Sequence, residues 1–146
     1  MEDTNVSDAL NTRLSILLAE ARNADLVAQS QQNPSRLSLL LAARFEYDVR
    51  KGGFAQLIYN MNGNCLGAIE DMLIRSNASV AHAHYVQAIH VCLSDKAEYQ
   101  RFLVSGYTEP NGIKDALHEV SVDYFSKEQP FALEAKSFLL SNKESV

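Results

Sequence analysis

Apolar residues recur at three- and four-residue steps along most of the chain, the spacing of one face of an α-helix. The first such run begins near Asp3 or Ser7 and ends in the polar segment 29–34, and the second, capped by Ser35, ends at Gly52-Gly53. The later runs predict a short turn or helix over 54–60 and helices over about 64–75, 77–93, 96–105 and 113–124, with a last one from residue 130. No stretch alternates as a strand does for more than a few residues. The pattern therefore predicts an all-α fold of about six to eight helices.

The 146 residues contain no proline- or glycine-rich linker and no internal repeat, so we expect residues 1–146 to form one compact domain. The longest segment without Asp, Glu, Lys or Arg is Ser76–Ser94. Because it contains three His, a Gln and an Asn, it is typical of a core helix rather than a membrane span. We expect the other helices to pack around this uncharged helix, near residues 77–93.

The charge balance is mildly acidic, with 18 Asp and Glu against 13 Lys and Arg and a net charge of −5. Lys and Arg are not clustered, which disfavours direct binding of nucleic acid. The acidic start Met1-Glu2-Asp3-Thr4 lacks the basic and apolar parts of a secretory signal, so we expect a cytoplasmic protein. In that compartment Cys65 and Cys92 are expected to be reduced thiols that pack in the fold.

One segment, 48–60, reads Asp-Val-Arg-Lys-Gly-Gly-Phe-Ala-Gln-Leu-Ile-Tyr-Asn. It resembles a signature of the family of the neisserial DNA mimic protein nineteen, in which an acidic residue and Val precede Asn-Asn-Gly-Gly-Phe-x-Gln and an aromatic-rich stretch ending in Asn. The matching positions are Asp48, Val49, Gly52, Gly53, Phe54, Gln56, Tyr59 and Asn60. Arg50-Lys51 replace the Asn-Asn of the family and place positive charge beside the motif.

The resemblance implies an all-helical domain that is often a homodimer. The founding member of the family has an acidic surface that imitates DNA and occupies a helix-turn-helix transcription factor. The resemblance therefore implies such a surface here as well. The net charge of −5 is modest for a surface that imitates a polyanion.

The motif itself has a structural interpretation. Gly52-Gly53 would let the chain leave a helix through positive φ, and Phe54 would return to the core. Asp48 falls at the border of the apolar face of its helix, where we expect it to accept a hydrogen bond. Gln56 and Asn60, four residues apart, are expected to point the same way and to satisfy backbone groups around the two glycines. The alternative is that these side chains contact a ligand or partner.

Three carboxylates, Asp115, Glu119 and Asp123, recur every four residues in the predicted helix 113–124. A helix would space them by about 6 Å, which makes them the best candidate for a DNA-like stripe that contacts a basic partner. The alternative is an ordinary solvated face opposite the apolar one, ended by Lys127. Three further acidic residues would extend the surface if the fold brought them alongside: Glu46, Glu70 and Asp71. Glu46 is also placed to pair with Arg50.

Metal binding and catalysis have little support. His82, His84, His90 and Cys92 have ligand chemistry, but on one helix residues two apart diverge by about 200° and residues eight apart are separated by about 12 Å. We therefore expect packing or interfacial histidines and no metal or other cofactor. The chain also has no phosphate-binding glycine loop, nucleophile elbow or paired-Cys zinc pattern, so we expect no enzymatic activity.

These observations favour a non-catalytic protein-binding module that presents carboxylates to the basic surface of a protein such as a transcription factor. We expect it to bind neither nucleic acid nor membranes directly, and to form a homodimer. One alternative is an immunity-type protein that neutralises a toxin through the same carboxylates. The other is a small-ligand protein or enzyme with a polar site at Gln56, Tyr59 and Asn60.

Overall fold

Residues 2–141, which this computed structural model describes, form nine α-helices and the turns between them. In chain order these are α1 (Glu2–Asn23), α2 (Leu26–Gln32), α3 (Pro34–Asn60), α4 (Leu66–Arg75), α5 (Ser79–Ser94), α6 (Lys96–Val104), α7 (Gly112–Ser126), α8 (Phe131–Glu134) and α9 (Lys136–Ser141). These residues include no strand, so the predicted all-α class is confirmed. After Pro130 the chain forms two short helices of four and six residues where the pattern predicted one.

Capping residues explain where the helix boundaries differ from the predicted ones. The apolar pattern carried the first helix through Asp25, but the Asp25 carboxylate accepts a hydrogen bond from the Ala28 amide at 3.1 Å and begins α2 instead. The next helix is capped by Asn33, whose side chain accepts from the Arg36 amide at 3.1 Å, and not by Ser35. Pro34 then occupies the first helical position, where its missing N–H costs nothing.

The centre of the fold is α3, which corrects the prediction that the helix near 77–93 would be central. Sixteen of the 27 residues of α3 are buried, and it packs against α1, α2, α4 and α7. In α5 only five of 16 residues are buried. The absence of charge in α5 misled the prediction, because uncharged polar residues such as Gln87 and His90 face solvent.

Aromatic rings connect α3 to its neighbours at the middle of the core. The Phe45 ring centroid lies 6.0 Å from that of Phe54, 6.5 Å from that of Tyr85 and 4.8 Å from that of Phe131. These contacts join the first part of α3 to its second part, to α5 and to α8. Tilted and edge-to-face pairs of this kind are the favoured aromatic geometries.

The start of α7 is held by side chains from α6 and the preceding turn. The Asn111 side chain accepts from the Lys114 amide at 3.0 Å and donates to the Glu98 carbonyl oxygen at 3.1 Å. The Glu98 carboxylate accepts from the Gly112 amide at 2.8 Å and from Arg101. With its N-terminus fixed, α7 buries Ile113, Leu117, Ser121 and Tyr124 and turns its opposite face to solvent.

Candidate protein-binding site

The double glycine of the motif produces a kink inside α3. Gly53 has φ 73° and ψ −165°, a conformation open essentially to glycine alone, while Gly52 has φ −148° and ψ 17°. The predicted positive φ is therefore confirmed at Gly53 only. Gly52 is needed for space, because a Cβ there would come within 2.7 Å of the Gln56 Cβ. The helix resumes at once after the kink, so residues 54–60 continue α3 in a new direction.

The kink brings the α3 backbone directly against α7. A Cβ on Gly53 would lie 2.7 Å from the Ser121 Cβ and closer still to the Ser121 Oγ. That hydroxyl accepts a hydrogen bond from the Phe54 amide at 2.8 Å and donates to the Leu117 carbonyl oxygen at 3.0 Å. Phe54 is fully buried and its ring centroid lies 5.5 Å from that of Tyr124. As predicted, Phe54 returns the chain to the core.

The polar residues of the motif bond to one another. Asp48, only 2% exposed, accepts from Arg44 Nε at 3.3 Å and from Asn60 Nδ2 at 3.2 Å, which confirms its predicted acceptor role. Gln56 Nε2 donates to Asn60 Oδ1 at 2.9 Å, so these two amides do point the same way. They do not serve the backbone around the glycines as predicted, because the kink places Asn60 opposite Asp48. Burial raises the pKa of Asp48, against the opposing effect of Arg44.

Tyr59, the remaining polar motif residue, connects α3 to the segment between α6 and α7. Its hydroxyl donates to the Ser105 carbonyl oxygen at 2.9 Å. Its ring centroid lies 5.6 Å from that of Phe102 and 5.0 Å from that of Tyr107. Every polar side chain of the motif is therefore engaged within the fold, which supports the structural interpretation of the segment.

The outer face of α7 carries the predicted carboxylates. Asp115, Glu119 and Asp123 are all exposed, one helical turn apart on the side opposite Leu117 and Ser121. Within residues 2–141, neither Asp115 nor Glu119 takes part in an ion pair. We call these three residues the acidic stripe. Lys127 Nζ, 3.7 Å from Asp123 Oδ1, ends the stripe at the next turn.

Asp123 differs from the other two members because α5 supplies it with a partner. Its Oδ2 lies 2.7 Å from His84 Nε2, and the other ring nitrogen of His84 lies 2.9 Å from the Val80 carbonyl oxygen. Since both neighbours are acceptors, both contacts are hydrogen bonds only when the ring carries two protons. The contact with His84 lowers the pKa of Asp123, and Lys127 adds to this effect. Asp115 and Glu119 are thus the carboxylates fully available to a partner.

Glu46 lies apart from the stripe, on α3. Its carboxylate pairs with Arg50 at 2.8 Å, as the four-residue spacing predicted, and accepts from the Ala132 amide at the start of α8. Burial raises the pKa of Glu46, while Arg50 and the Ala132 amide oppose that change. The residue therefore has a role within the fold as well as a place at the surface.

Glu70 and Asp71 lie on α4, away from α7. Glu70 Oε2 is 3.0 Å from His82 Nε2, whereas Asp123 contacts His84. His82 and His84 diverge by about 200° around α5, so Glu70 and Asp123 lie on opposite sides of that helix. Asp71 is exposed. Of the six predicted carboxylates, the fold brings three into one row and leaves the α4 pair on another side of the molecule.

The sequence patterns did not predict the apolar surface that lies beside the stripe. Val122 is 69% exposed and Phe125 49% exposed, both on α7. Phe125 also borders a cavity of about 210 Å³ between α3, α7 and α8, whose other lining residues are Phe45, Glu46, Val49, Arg50, Tyr124, Pro130 and Phe131. The signal was present, because Val122 and Phe125 fall outside the inner face already supplied by Ile113, Leu117 and Tyr124.

The histidines and cysteines of the described residues lie apart from any metal-binding arrangement. Within residues 2–141, no three His, Cys, Asp or Glu side chains converge as metal ligands. Cys65 is half-buried and Cys92 is buried, and both are free thiols. Burial raises the pKa of the Cys92 thiol to about 12, which keeps it protonated and unreactive.

The fold and the site define an all-α protein whose central helix is kinked at a Gly-Gly-Phe segment and whose α7 exposes a row of carboxylates. A family model described as DMP19-like protein matches residues 30–142, more than three-quarters of the chain. The chain therefore belongs to the DMP19-like protein family, as the motif indicated. No curated protein and no solved structure matches it. In the part of the chain that the structure describes, no helix has the length and apolar character needed to cross a membrane.

Proposed function

We propose that this protein is a non-catalytic binding module whose acidic stripe contacts the basic surface of a DNA-binding protein and competes there with DNA. The observation that carries the proposal is the pair Asp115 and Glu119, exposed, one turn apart and without ion pairs in residues 2–141. Membership of the DMP19-like family supports it, because the founding member that the motif resembles is a DNA mimic.

The charges around the stripe also favour a basic partner. Lys114, on the same helix, keeps its positive charge but makes no ion pair with the stripe within residues 2–141, since its Nζ donates to the Glu109 carbonyl oxygen at 2.7 Å and also to that of Tyr107. Among the residues that the structure describes, Lys127 pairs with Asp123 alone. A basic protein surface approaching α7 would therefore meet net negative charge, which raises association rates and favours complementary partners.

Affinity capture tests this proposal. The tagged protein is incubated with lysate of its native host at low salt, eluted with a salt gradient, and the captured proteins are identified by mass spectrometry. We expect a DNA-binding protein that elutes at moderate salt and is displaced by its own DNA site. Capture with the variant D115N/E119Q is the comparison and should retain less of that protein at the same salt concentration. A captured protein that DNA does not displace would contradict competition with DNA.

We also propose that the protein self-associates, as its resemblance to the family implies. Sedimentation equilibrium should give the mass of two chains at micromolar concentration, and the mass of one chain would contradict this part of the proposal. A basic toxin fits the same stripe, and its capture in place of a DNA-binding protein would assign the immunity-type function. An enzymatic site at the motif has no support in the contacts, because Gln56, Tyr59 and Asn60 bond within the fold.

A further inference from the structure

The acidic stripe lies next to exposed apolar side chains on the same helix. With about 100° of rotation per residue, Val122 lies about 60° and Phe125 about 120° around α7 from Glu119. Val122 shares a shallow trough of the α7 surface with Glu119 and Asp123. A protein partner that contacts the stripe would therefore also reach this apolar side of the helix.

Phe125 leads from this side of α7 into the cavity that it shares with α3 and α8. The floor of the cavity is apolar and is formed by the core residues Phe45, Val49 and Phe131, each at most 3% exposed, while Phe125 and Pro130 are exposed at its mouth. A second depression, of about 240 Å³, adjoins it, since both are lined by Tyr124, Phe125 and Pro130. The cavity is comparable in size to engineered protein cavities of about 150 Å³ that hold a benzene ring.

The rim of the cavity matches the charge of the stripe. Glu46 and Glu128 stand at the edges of the two adjoining depressions. Among the described residues that line the two depressions, Arg50 is the only cation, and it lies 2.8 Å from the Glu46 carboxylate. This pair has no net charge, so the negative charge left at the rim is that of Glu128. The acidic stripe and the rim are thus both suited to a partner that carries positive charge around an apolar group.

We propose that the cavity binds one aromatic or leucine side chain of the same basic protein partner that the acidic stripe attracts. This inference rests on the proposed function and names the second element of recognition. Exposed carboxylates steer a partner but contribute little net affinity, because water and salt screen them. Buried aromatic anchors in pockets commonly contribute most of the binding energy at protein interfaces. The partner segment would carry lysine or arginine beside a large apolar side chain.

Two synthetic peptides serve as probes of this proposal. Each is a capped helical peptide of about 16 residues with lysines at four-residue steps on an alanine background. One has a single tryptophan beside the lysine row, and the other has alanine in its place. Both are titrated into the isotope-labelled full chain and followed by amide chemical shifts. We expect both peptides to change the amide chemical shifts of Asp115 and Glu119. Only the tryptophan peptide should also change the amide chemical shifts of Val49 and Phe131. It should bind about tenfold more tightly than the alanine peptide.

Variants separate the two parts of the account. F125A should reduce the affinity of the tryptophan peptide to that of the alanine peptide. L93A, at another exposed apolar residue, should leave the affinities of both peptides unchanged. D115N/E119Q should weaken both peptides. Equal binding of the two peptides, with F125A unchanged, overturns the cavity proposal and leaves the proposed function standing. Failure of both peptides to bind at the stripe contradicts the proposed function. Shifts at Phe125 that depend on protein concentration without peptide would mean that a second copy fills the cavity, which also overturns the proposal.

Discussion

The inner and outer faces of α7 differ in how completely the fold itself uses their side chains. On the inner face, the Ser121 hydroxyl accepts from the Phe54 amide at 2.8 Å and donates to the Leu117 carbonyl oxygen at 3.0 Å, with Gly53 packed directly against it. On the outer face, Asp115 and Glu119 have no ion pair within residues 2–141, and Phe125 is half exposed. The same helix thus has one side committed to the core and one side available to other molecules.

This difference separates the family motif from the candidate binding surface. The motif residues make the contacts that fix the direction of α3 and its distance from α7, so changes there should alter stability first. Asp115 and Glu119 make no ion pair within residues 2–141, so changes at these two stripe residues should alter binding and leave the fold intact. Three sets of variants test this separation, from the largest expected effect on stability to the smallest.

The largest loss of stability is expected for Gly53→Ala. The residue would hold a glycine-only conformation at φ 73° and its new Cβ would collide with Ser121, so we expect a loss of about 3 kcal/mol or more. Urea denaturation measures this loss. The matched control is Gly67→Ala in α4, where an added Cβ meets nothing within 4 Å. The control should be as stable as the wild type or up to about 1 kcal/mol more stable. Equal stability of the two variants would mean that the kink is not required.

Asp48 and Asp123 are expected to give opposite dependences of stability on pH. The pKa of Asp48 is raised by burial, so its ionisation in the folded state removes stability as the pH rises above about 4. The pKa of Asp123 is lowered by His84, so the ionised Asp123 carboxylate stabilises the folded state above about pH 4. This stabilisation is lost as the pH falls through the folded-state pKa of Asp123.

Unfolding free energies measured between about pH 2 and pH 7 compare the two sites, since these values span the titration of both carboxyls. Relative to the wild type, D48N should gain stability as the pH rises, and D123N should lose it. The two differences should therefore have slopes of opposite sign. Slopes of the same sign would show that the buried and exposed carboxyls do not differ as described.

The smallest effect on stability is expected for D115N/E119Q. Both residues are exposed and without ion pairs in residues 2–141, so we expect the free energy of unfolding to change by at most about 0.5 kcal/mol. Thermal and urea denaturation at neutral pH provide the measurement. A loss as large as that of Gly53→Ala would place the stripe among the residues that hold the fold together.

The sequence predicted the local features well, because local rules govern them. Helical periodicity gave the all-α class, and the Gly-Gly pair marked the kink. The four-residue spacing of Asp115, Glu119 and Asp123 placed them in one exposed row. The i to i+4 rule also predicted the pair of Glu46 with Arg50. Each of these predictions depends on residues within a turn or two of one another.

Features that depend on distant residues were not predictable in the same way. The partners of Asp123 and Asn60, which are His84 and Asp48, come from other helices or from across the kink. The central position of α3 depends on four neighbouring helices, and lack of charge in α5 was no guide to it. The cavity beside Phe125 requires α3, α7 and α8 together. Tertiary packing determines such features, and the local patterns of a single sequence do not indicate which distant residues pack together.

The salt dependence of binding tests the acidic stripe most directly. The dissociation constant of the captured DNA-binding protein is measured over a series of salt concentrations for the wild type and for D115N/E119Q. We expect wild-type binding to weaken steeply with salt, and the variant to bind less tightly at low salt with a shallower dependence. Affinity that does not depend on salt, or that is the same for both proteins at every concentration, would contradict a role for the stripe in binding.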